Sequence, residues 1–188
     1  MKKGKKRKSK ESSVTARPPI SIKRFAITYI TLMGAFFALI SFTPLQKIID
    51  INGIYSRVIA SISSRMVRIT GLPCTSQGTL INLPSVSLDV VFGCNGLDAA
   101  MIYAIAIIVY PAEWKKKITG IAVGSLALQI VNVFRIVVLA HLANSGIRLT
   151  NYFEYIHIYA AQGLMIAISL GIFFLYLNYA KSPQTARS

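Results

Sequence analysis

Long stretches of apolar residues without charge dominate this sequence and limit the folds that it can adopt. Residues 25–42 contain no charged side chain, and residues 118–143 contain one Lys or Arg, at Arg135, and no acidic residue. Of the 188 residues, 54% are hydrophobic and 14% are charged. A soluble domain of this length cannot enclose so much apolar side chain, whereas a bilayer accepts helices of about 20 such residues. The sequence therefore predicts an all-α membrane protein.

Four apolar segments predict about four transmembrane helices, at about residues 25–43, 92–111, 118–143 and 156–179. The first segment follows a basic region, as the apolar part of a signal peptide does. It is long and no clean small-x-small cleavage pattern follows it, so we predict an uncleaved helix that ends at Pro44. The second segment is predicted to start before Cys94, so that this cysteine lies in its first turns.

The segments outside the spans differ in composition. Residues 1–24 combine a lysine run with Ser and Pro and predict a disordered cytoplasmic arm, while residues 181–188 predict a short cytoplasmic tail. Residues 71–91 mix Gly, Pro and Ser with alternating apolar residues, which predicts a hairpin or an extended segment. Within residues 45–70, apolar side chains recur at helical spacing, which predicts an amphipathic helix along the membrane interface. These side chains are Ile54, Val58, Ile59, Ile62 and Met66.

The distribution of Lys and Arg predicts the orientation in the membrane. The arm, the loop Lys115–Lys117 and the tail together hold 15 of the 21 basic residues, so both termini are predicted to be cytoplasmic. The net charge of +15 is concentrated in the arm and does not line a groove, so we expect no nucleic-acid partner. In this topology Cys94, Arg135 and His157 all lie near the outer face of the membrane.

Arg135 is the strongest single indication of function. An arginine inside an apolar helix is costly unless it faces a polar cavity or an anion. Gln129 and Asn132 precede it at three-residue steps, on roughly the same helical face. The structural alternative is an arginine that extends to the outer headgroups or bonds the carbonyls of neighbouring helices.

Cys94 lies in the motif FGCNGLD, where two glycines allow the backbone to approach a substrate closely. Free amide groups and the dipole at a helix start favour the thiolate of such a cysteine. A buried core cysteine is the alternative interpretation. Asp98, one turn later, either orients a partner residue, pairs with an arginine or is an ordinary acid at a helix start.

Two histidines are candidates for proton transfer. His157 begins a separate span that can converge on Cys94, whereas His141 is rotated by about 120° from Arg135 around the helix axis. A thiolate, a proton donor and a cation are the groups needed to convert an amide into a thioester. Cys74 and Cys94 lack CxxC spacing, and we predict neither a metal site nor a cofactor.

Three ordered motifs resemble the exosortase/archaeosortase family of membrane proteins. They are a Cys-x-Gly at a helix start, an Asn-x-x-Arg in the next helix and a later His with a downstream Gly, at Cys94 to Gly96, Asn132 to Arg135, and His157 and Gly163. The resemblance covers roughly residues 88–172. Many members have about eight spans, so the chain looks like a short bacterial type, similar in size to the exosortase H subgroup.

This resemblance implies a catalytic domain over residues 25–180. Cys94 would be the nucleophile, Arg135 the transition-state stabiliser and His157 the acid/base, with supporting roles for Asn95, Gly96, Asp98 and Asn132. The implied substrates are exported proteins with a carboxyl-terminal motif, an apolar helix and a basic tail. A multi-pass protein of the bacterial inner membrane, embedded in lipid, would cleave them on the periplasmic side and transfer them to a surface acceptor.

Two other functions fit the same residues. In a membrane thiol oxidoreductase, Cys74 and Cys94 form a reversible disulfide, and both are essential. In a non-catalytic membrane assembly protein, Arg135 binds an anionic headgroup or a partner helix, and Cys94 is dispensable.

Overall fold

The computed structural model describes residues 22–41, 50–145 and 161–181. In these ranges five helices and three strands follow in the order α1 (Ile22–Ser41), α2 (Ile51–Ile69), β1 (Thr75–Gln77), β2 (Leu80–Asn82), β3 (Ser87–Asp89), α3 (Leu97–Val109), α4 (Trp114–Asn144) and α5 (Ala161–Lys181). Helices α1, α4 and α5 are long and apolar enough to cross a membrane, and α3 is a shorter apolar helix. The prediction of an all-α membrane protein is confirmed. Most of the predicted arm and tail, and the start of the fourth predicted span, lie outside the described residues.

Helices α3, α4 and α5 pack against one another around a cluster of buried side chains that includes Tyr103, Leu128, Met165 and Tyr176. Two glycines of α4 make room for the aromatic rings of its neighbours. A Cβ atom at Gly120 would lie 2.5 Å from the Tyr176 ring, and one at Gly124 would lie 2.1 Å from the Tyr103 hydroxyl. That hydroxyl donates a hydrogen bond to the Gly120 carbonyl at 2.8 Å. Small residues therefore allow close approach between the three helices.

Two buried lysines at the start of α4 stabilise the ends of its neighbours. Lys116 Nζ donates to the Ala180 carbonyl at 3.2 Å, and Lys117 Nζ donates to the Ile108 carbonyl at 2.6 Å. Both acceptors lie in the last turns of α5 and α3, where carbonyls lack partners within the helix. A cation is favourable at these ends, because the helix dipole is negative there.

Helix α2 begins after Asp50, whose carboxylate accepts a hydrogen bond from the Gly53 amide at 2.8 Å. The predicted helix is confirmed, although the face that it buries consists mainly of small residues, namely Ser56, Ile59, Ala60, Ser63, Ser64 and Val67. This face packs on α4 and the strands. Most of the predicted apolar positions are exposed, and Ile54 keeps 54% of its surface accessible. An exposed apolar stripe is suited to lipid, and the interfacial location stays a prediction.

The segment after α2 forms a small antiparallel sheet in the order β1-β2-β3. Ile81 pairs with Leu88 and is fully buried against α2. The predicted hairpin is thus confirmed and extended by one strand. Helix α1 approaches the residues that follow β3. The Phe37 ring lies edge-on to Phe92, with 6.3 Å between the ring centroids.

We expect Gly124→Ala to destabilise the contact between α3 and α4. The new methyl group would displace the Tyr103 hydroxyl from the Gly120 carbonyl, at a cost of about 1–3 kcal/mol. Thermal unfolding in detergent measures the effect. Gly171→Ala is the matched control, because no atom of the described residues lies within 4 Å of the added Cβ. Equal melting temperatures for the two variants would contradict this account.

Candidate functional site

Cys94 lies in a tight turn between β3 and α3. The amides of Cys94 and Asn95 both donate to the Val91 carbonyl, at 2.9 and 3.0 Å. Gly93 and Gly96 have positive φ values of 90° and 74°, which an α-helix does not accommodate. Helix α3 therefore starts at Leu97, later than the start at 92 that we predicted. The prediction that Cys94 lies in the first turns of the helix is wrong, because the cysteine precedes it.

One face of α4 holds this turn in place. Gln129 Nε2 donates to the Gly96 carbonyl at 3.2 Å, and Arg135 Nη2 donates to the Gly93 and Cys94 carbonyls at 3.3 and 3.4 Å. Between them, the fully buried Asn132 side chain packs against Gly96, where a Cβ atom would lie 2.9 Å from the Asn132 amide. The predicted polar face of the helix thus contacts the Cys94 turn at three successive positions.

Asn95 fastens the same turn to α2. Its side chain is fully buried, and its Nδ2 atom donates to Asn52 Oδ1 at 2.8 Å and to Ser56 Oγ at 2.9 Å. The Leu97 amide donates to Asn95 Oδ1 at 3.0 Å. Every hydrogen-bonding atom of this carboxamide is thereby used within the protein. Asn95 thus has a structural role: it joins the turn that contains Cys94 to α2.

Asp98 and Gln162 complete the polar contacts around Arg135. Asp98 is 7% exposed, and its Oδ2 atom accepts a hydrogen bond from Gln162 Nε2. Arg135 Nη1 donates to Gln162 Oε1 at 3.5 Å. We did not predict Gln162 from the sequence. A polar side chain in the apolar segment that follows His157 was the available signal.

Several buried polar atoms at this site have no hydrogen-bond partner among the described residues. They are Asp98 Oδ1, Gln129 Oε1, Arg135 Nε and both amide atoms of Asn132. Unpaired groups of this kind are uncommon in native proteins, because each one costs about 1–3 kcal/mol of lost hydration. Among the described residues, these atoms therefore form a polar cluster beside Cys94.

Opposing influences act on the Cys94 thiol, which lies outside the helices. Burial raises its pKa above the usual value, while the charge of Arg135 and a hydrogen bond from that side chain lower it. Asp98 and Asp89 add smaller effects that raise the pKa. Burial has the largest effect, so the net pKa of Cys94 is raised and the thiolate forms less readily than in water. Arg135 makes this rise in pKa smaller.

The remaining candidate residues occupy different places. His157 lies outside the described residues. His141 Nε2 is 2.7 Å from Thr70 Oγ1 and links the end of α4 to the end of α2. Cys74 is a buried free cysteine whose thiol donates to the Ser64 carbonyl at 3.2 Å. Within the described ranges, no group of three His, Cys, Asp or Glu side chains is arranged to hold a metal ion.

A comparison with protein families finds one that matches most of the chain. The model of the transmembrane exosortase family matches residues 24–175, which include the Cys94 turn and the polar face of α4. No curated protein and no solved structure shows a significant match to the chain.

Two glycine variants separate backbone strain from crowding at the turn. Both Gly93 and Gly96 have positive φ, so alanine at either position costs about 1–2 kcal/mol. The new Cβ at Gly96 also meets Asn132, whereas no described atom lies within 4 Å of a Cβ at Gly93. We expect Gly96→Ala to lower the melting temperature more than Gly93→Ala does. The opposite order would contradict the packing described for Asn132.

Removal of the Arg135 charge should raise the pKa of Cys94 further. We expect Arg135→Gln to shift the pH midpoint of Cys94 alkylation upward, with slower alkylation at any pH below that midpoint. Iodoacetamide labelling followed by mass spectrometry of the Cys94 peptide measures the profile. Arg65→Gln removes an exposed arginine of α2 and serves as the control. An unchanged midpoint in Arg135→Gln would show that the guanidinium does not act on the thiol.

Proposed function

The chain belongs to the transmembrane exosortase family, and on that premise we propose that it is a membrane cysteine transpeptidase. Its substrates are exported proteins that carry a carboxyl-terminal sorting signal, composed of a short motif, an apolar helix and a basic tail. Cleavage takes place at the outer face of the bacterial inner membrane, and the product is transferred to an acceptor at the cell surface. The protein spans the membrane several times, with both termini in the cytoplasm.

The observation that carries this proposal is the contact between Arg135 and the Cys94 turn. Arg135 reaches from the interior of an apolar helix to the carbonyls on either side of the thiol-bearing residue. It is also the cation that lowers the pKa of the thiol. A guanidinium in a weakly hydrated site stabilises negative charge more strongly than it does in water. The arrangement therefore suits a reaction in which charge first develops on sulfur and then on a nearby oxygen.

In the proposed mechanism, His157 accepts the proton of the Cys94 thiol, and the thiolate attacks the carbonyl carbon of the scissile amide. Arg135 stabilises the resulting oxyanion through its N–H groups. The carbon–nitrogen bond then breaks, and His157 returns its proton to the leaving amine, which leaves a thioester on Cys94. A nucleophilic group of the acceptor attacks this thioester and gives its proton to His157. Cys94 departs as the thiolate and is reprotonated, so the cycle closes without an oxidant or a metal.

Cys74 distinguishes this mechanism from that of a thiol oxidoreductase. The transpeptidase mechanism uses one thiol, whereas disulfide exchange requires two. Cys74 is buried, and its thiol is hydrogen-bonded to a backbone carbonyl, which are features of a structural cysteine. We therefore assign the chemistry to Cys94 alone.

Co-expression with an exported protein that carries a motif, an apolar helix and a basic tail tests the proposal. We expect Cys94→Ala to abolish removal of the tail, by about 10³-fold or more, because the nucleophile is lost. Cys74→Ala should retain processing. Immunoblotting of the substrate and mass spectrometry of its new carboxyl terminus measure both results.

Two outcomes would reject the proposal. Loss of processing in Cys74→Ala that equals the loss in Cys94→Ala, in variants of equal abundance, would favour a thiol oxidoreductase. Normal processing in Cys94→Ala together with loss in Arg135→Ala would favour a non-catalytic assembly protein that binds through the arginine.

A further inference from the structure

We propose that Gln162 is a positioning residue that separates Asp98 from Arg135 and thereby keeps the guanidinium on the Cys94 turn. The inference rests on the proposed function only in treating Cys94 as the reactive thiol. It assigns Gln162 no contact with a substrate. Its action is exerted through Arg135, and its effect appears in the reactivity of Cys94.

The geometry around Gln162 places one carboxamide between two opposite charges. Its Oε1 atom accepts from Arg135 Nη1 at 3.5 Å, and its Nε2 atom donates to Asp98 Oδ2. This orientation of the amide is the one that satisfies both neighbours, because arginine only donates and a carboxylate only accepts. The other terminal nitrogen of Arg135, Nη2, donates to the Gly93 and Cys94 carbonyls. The guanidinium is therefore held from two sides.

A direct pair between Asp98 and Arg135 is the competing arrangement. Asp98 Oδ1 and Arg135 Nε are both buried and have no hydrogen-bond partner among the described residues. An arginine and a carboxylate form strong two-point hydrogen bonds, particularly where water is scarce. Without an intervening amide, the guanidinium would rotate toward Asp98 and leave the carbonyls of the Cys94 turn. Gln162 prevents this because its amide occupies the space between the two groups and binds both.

Gln162 also connects three helices. It lies in the first turn of α5, the helix that follows His157 by a few residues in the sequence. Asp98 lies in the first turn of α3, and Arg135 lies in α4. One side chain thus joins the three packed helices at the level of the site. Ser169, further along α5, makes a separate hydrogen bond to the Ala99 carbonyl of α3 at 3.3 Å.

A double-mutant cycle on the full-length protein in detergent tests the inference. Gln162→Met removes both hydrogen bonds and keeps the side-chain volume, while Asp98→Asn removes the competing charge. The readout is the pH profile of Cys94 alkylation by iodoacetamide. We expect Gln162→Met to slow alkylation about threefold or more below the midpoint, which corresponds to a rise of about half a pKa unit. Ser169→Ala is the control: it removes a hydrogen bond between α5 and α3 and should leave the pH profile unchanged.

The decisive result is the effect of Asp98→Asn in the two backgrounds. Asp98 raises the pKa of Cys94 by its charge alone, so its removal accelerates alkylation even with Gln162 present. If Asp98 captures Arg135 when Gln162 is absent, the acceleration is larger in the Gln162→Met background. If Asp98→Asn accelerates Cys94 alkylation by the same factor in both backgrounds, the inference is overturned. An unchanged pH profile in Gln162→Met would also overturn it.

Two further results separate this inference from misfolding of a variant and from failure of the proposed function. If Gln162→Met does not fold, the double variant decides the question, since it lacks the competing carboxylate. Its alkylation profile should then match that of Asp98→Asn, and slower alkylation would overturn the inference. The measurement requires no sorting substrate. Absence of Cys94-dependent processing would therefore reject the proposed function and leave the result on Gln162 intact.

Discussion

The presence of one guanidinium inside an apolar helix constrains much of this structure. Arg135 is costly in such a helix without acceptors, and those that it contacts among the described residues include the carbonyls of the Cys94 turn and the amide oxygen of Gln162. Meeting this requirement brings the turn before α3, the middle of α4 and the start of α5 to one place. The same contact also puts a positive charge beside the only thiol, among the described residues, that lies at this site.

Small residues make these close contacts possible. Gly96 has no Cβ where the Asn132 side chain packs, and its positive φ ends the turn at the point where α3 begins. The glycines of α4 accept tyrosine rings from both neighbours, and α2 approaches through its serine and alanine face. In a membrane the gain from hiding apolar surface between helices is small, so close packing and hydrogen bonds contribute most of the association. Many apolar side chains of α2 and α4 are correspondingly left on the outside, among them Ile54, Ile62, Val123 and Phe134.

Sequence reasoning reached part of the site for identifiable reasons. Arg135 and Asn132 were predictable because polar side chains are conspicuous in apolar helices, and three-residue steps place them on one face. Gln162 was missed, since a lone glutamine near a helix start is compatible with many harmless positions. The helix start was misplaced because hydropathy does not reveal the backbone conformation of Gly93 and Gly96. For α2, helical spacing predicted the helix correctly but not which face packs inward.

Composition and residue order are sufficient to identify a helical membrane protein in which Cys94 and Arg135 are exceptional. The membrane location and the choice of Arg135 follow from the cost of exposing polar groups to hydrocarbon, whereas Cys94 is distinguished by its two neighbouring glycines. The hydrogen-bond partners of the arginine are known only from the fold, because the Cys94 turn and Gln162 come from distant parts of the sequence. Hydrogen bonds act over about 3 Å, and a linear pattern of residue types contains no distances of that kind across helices.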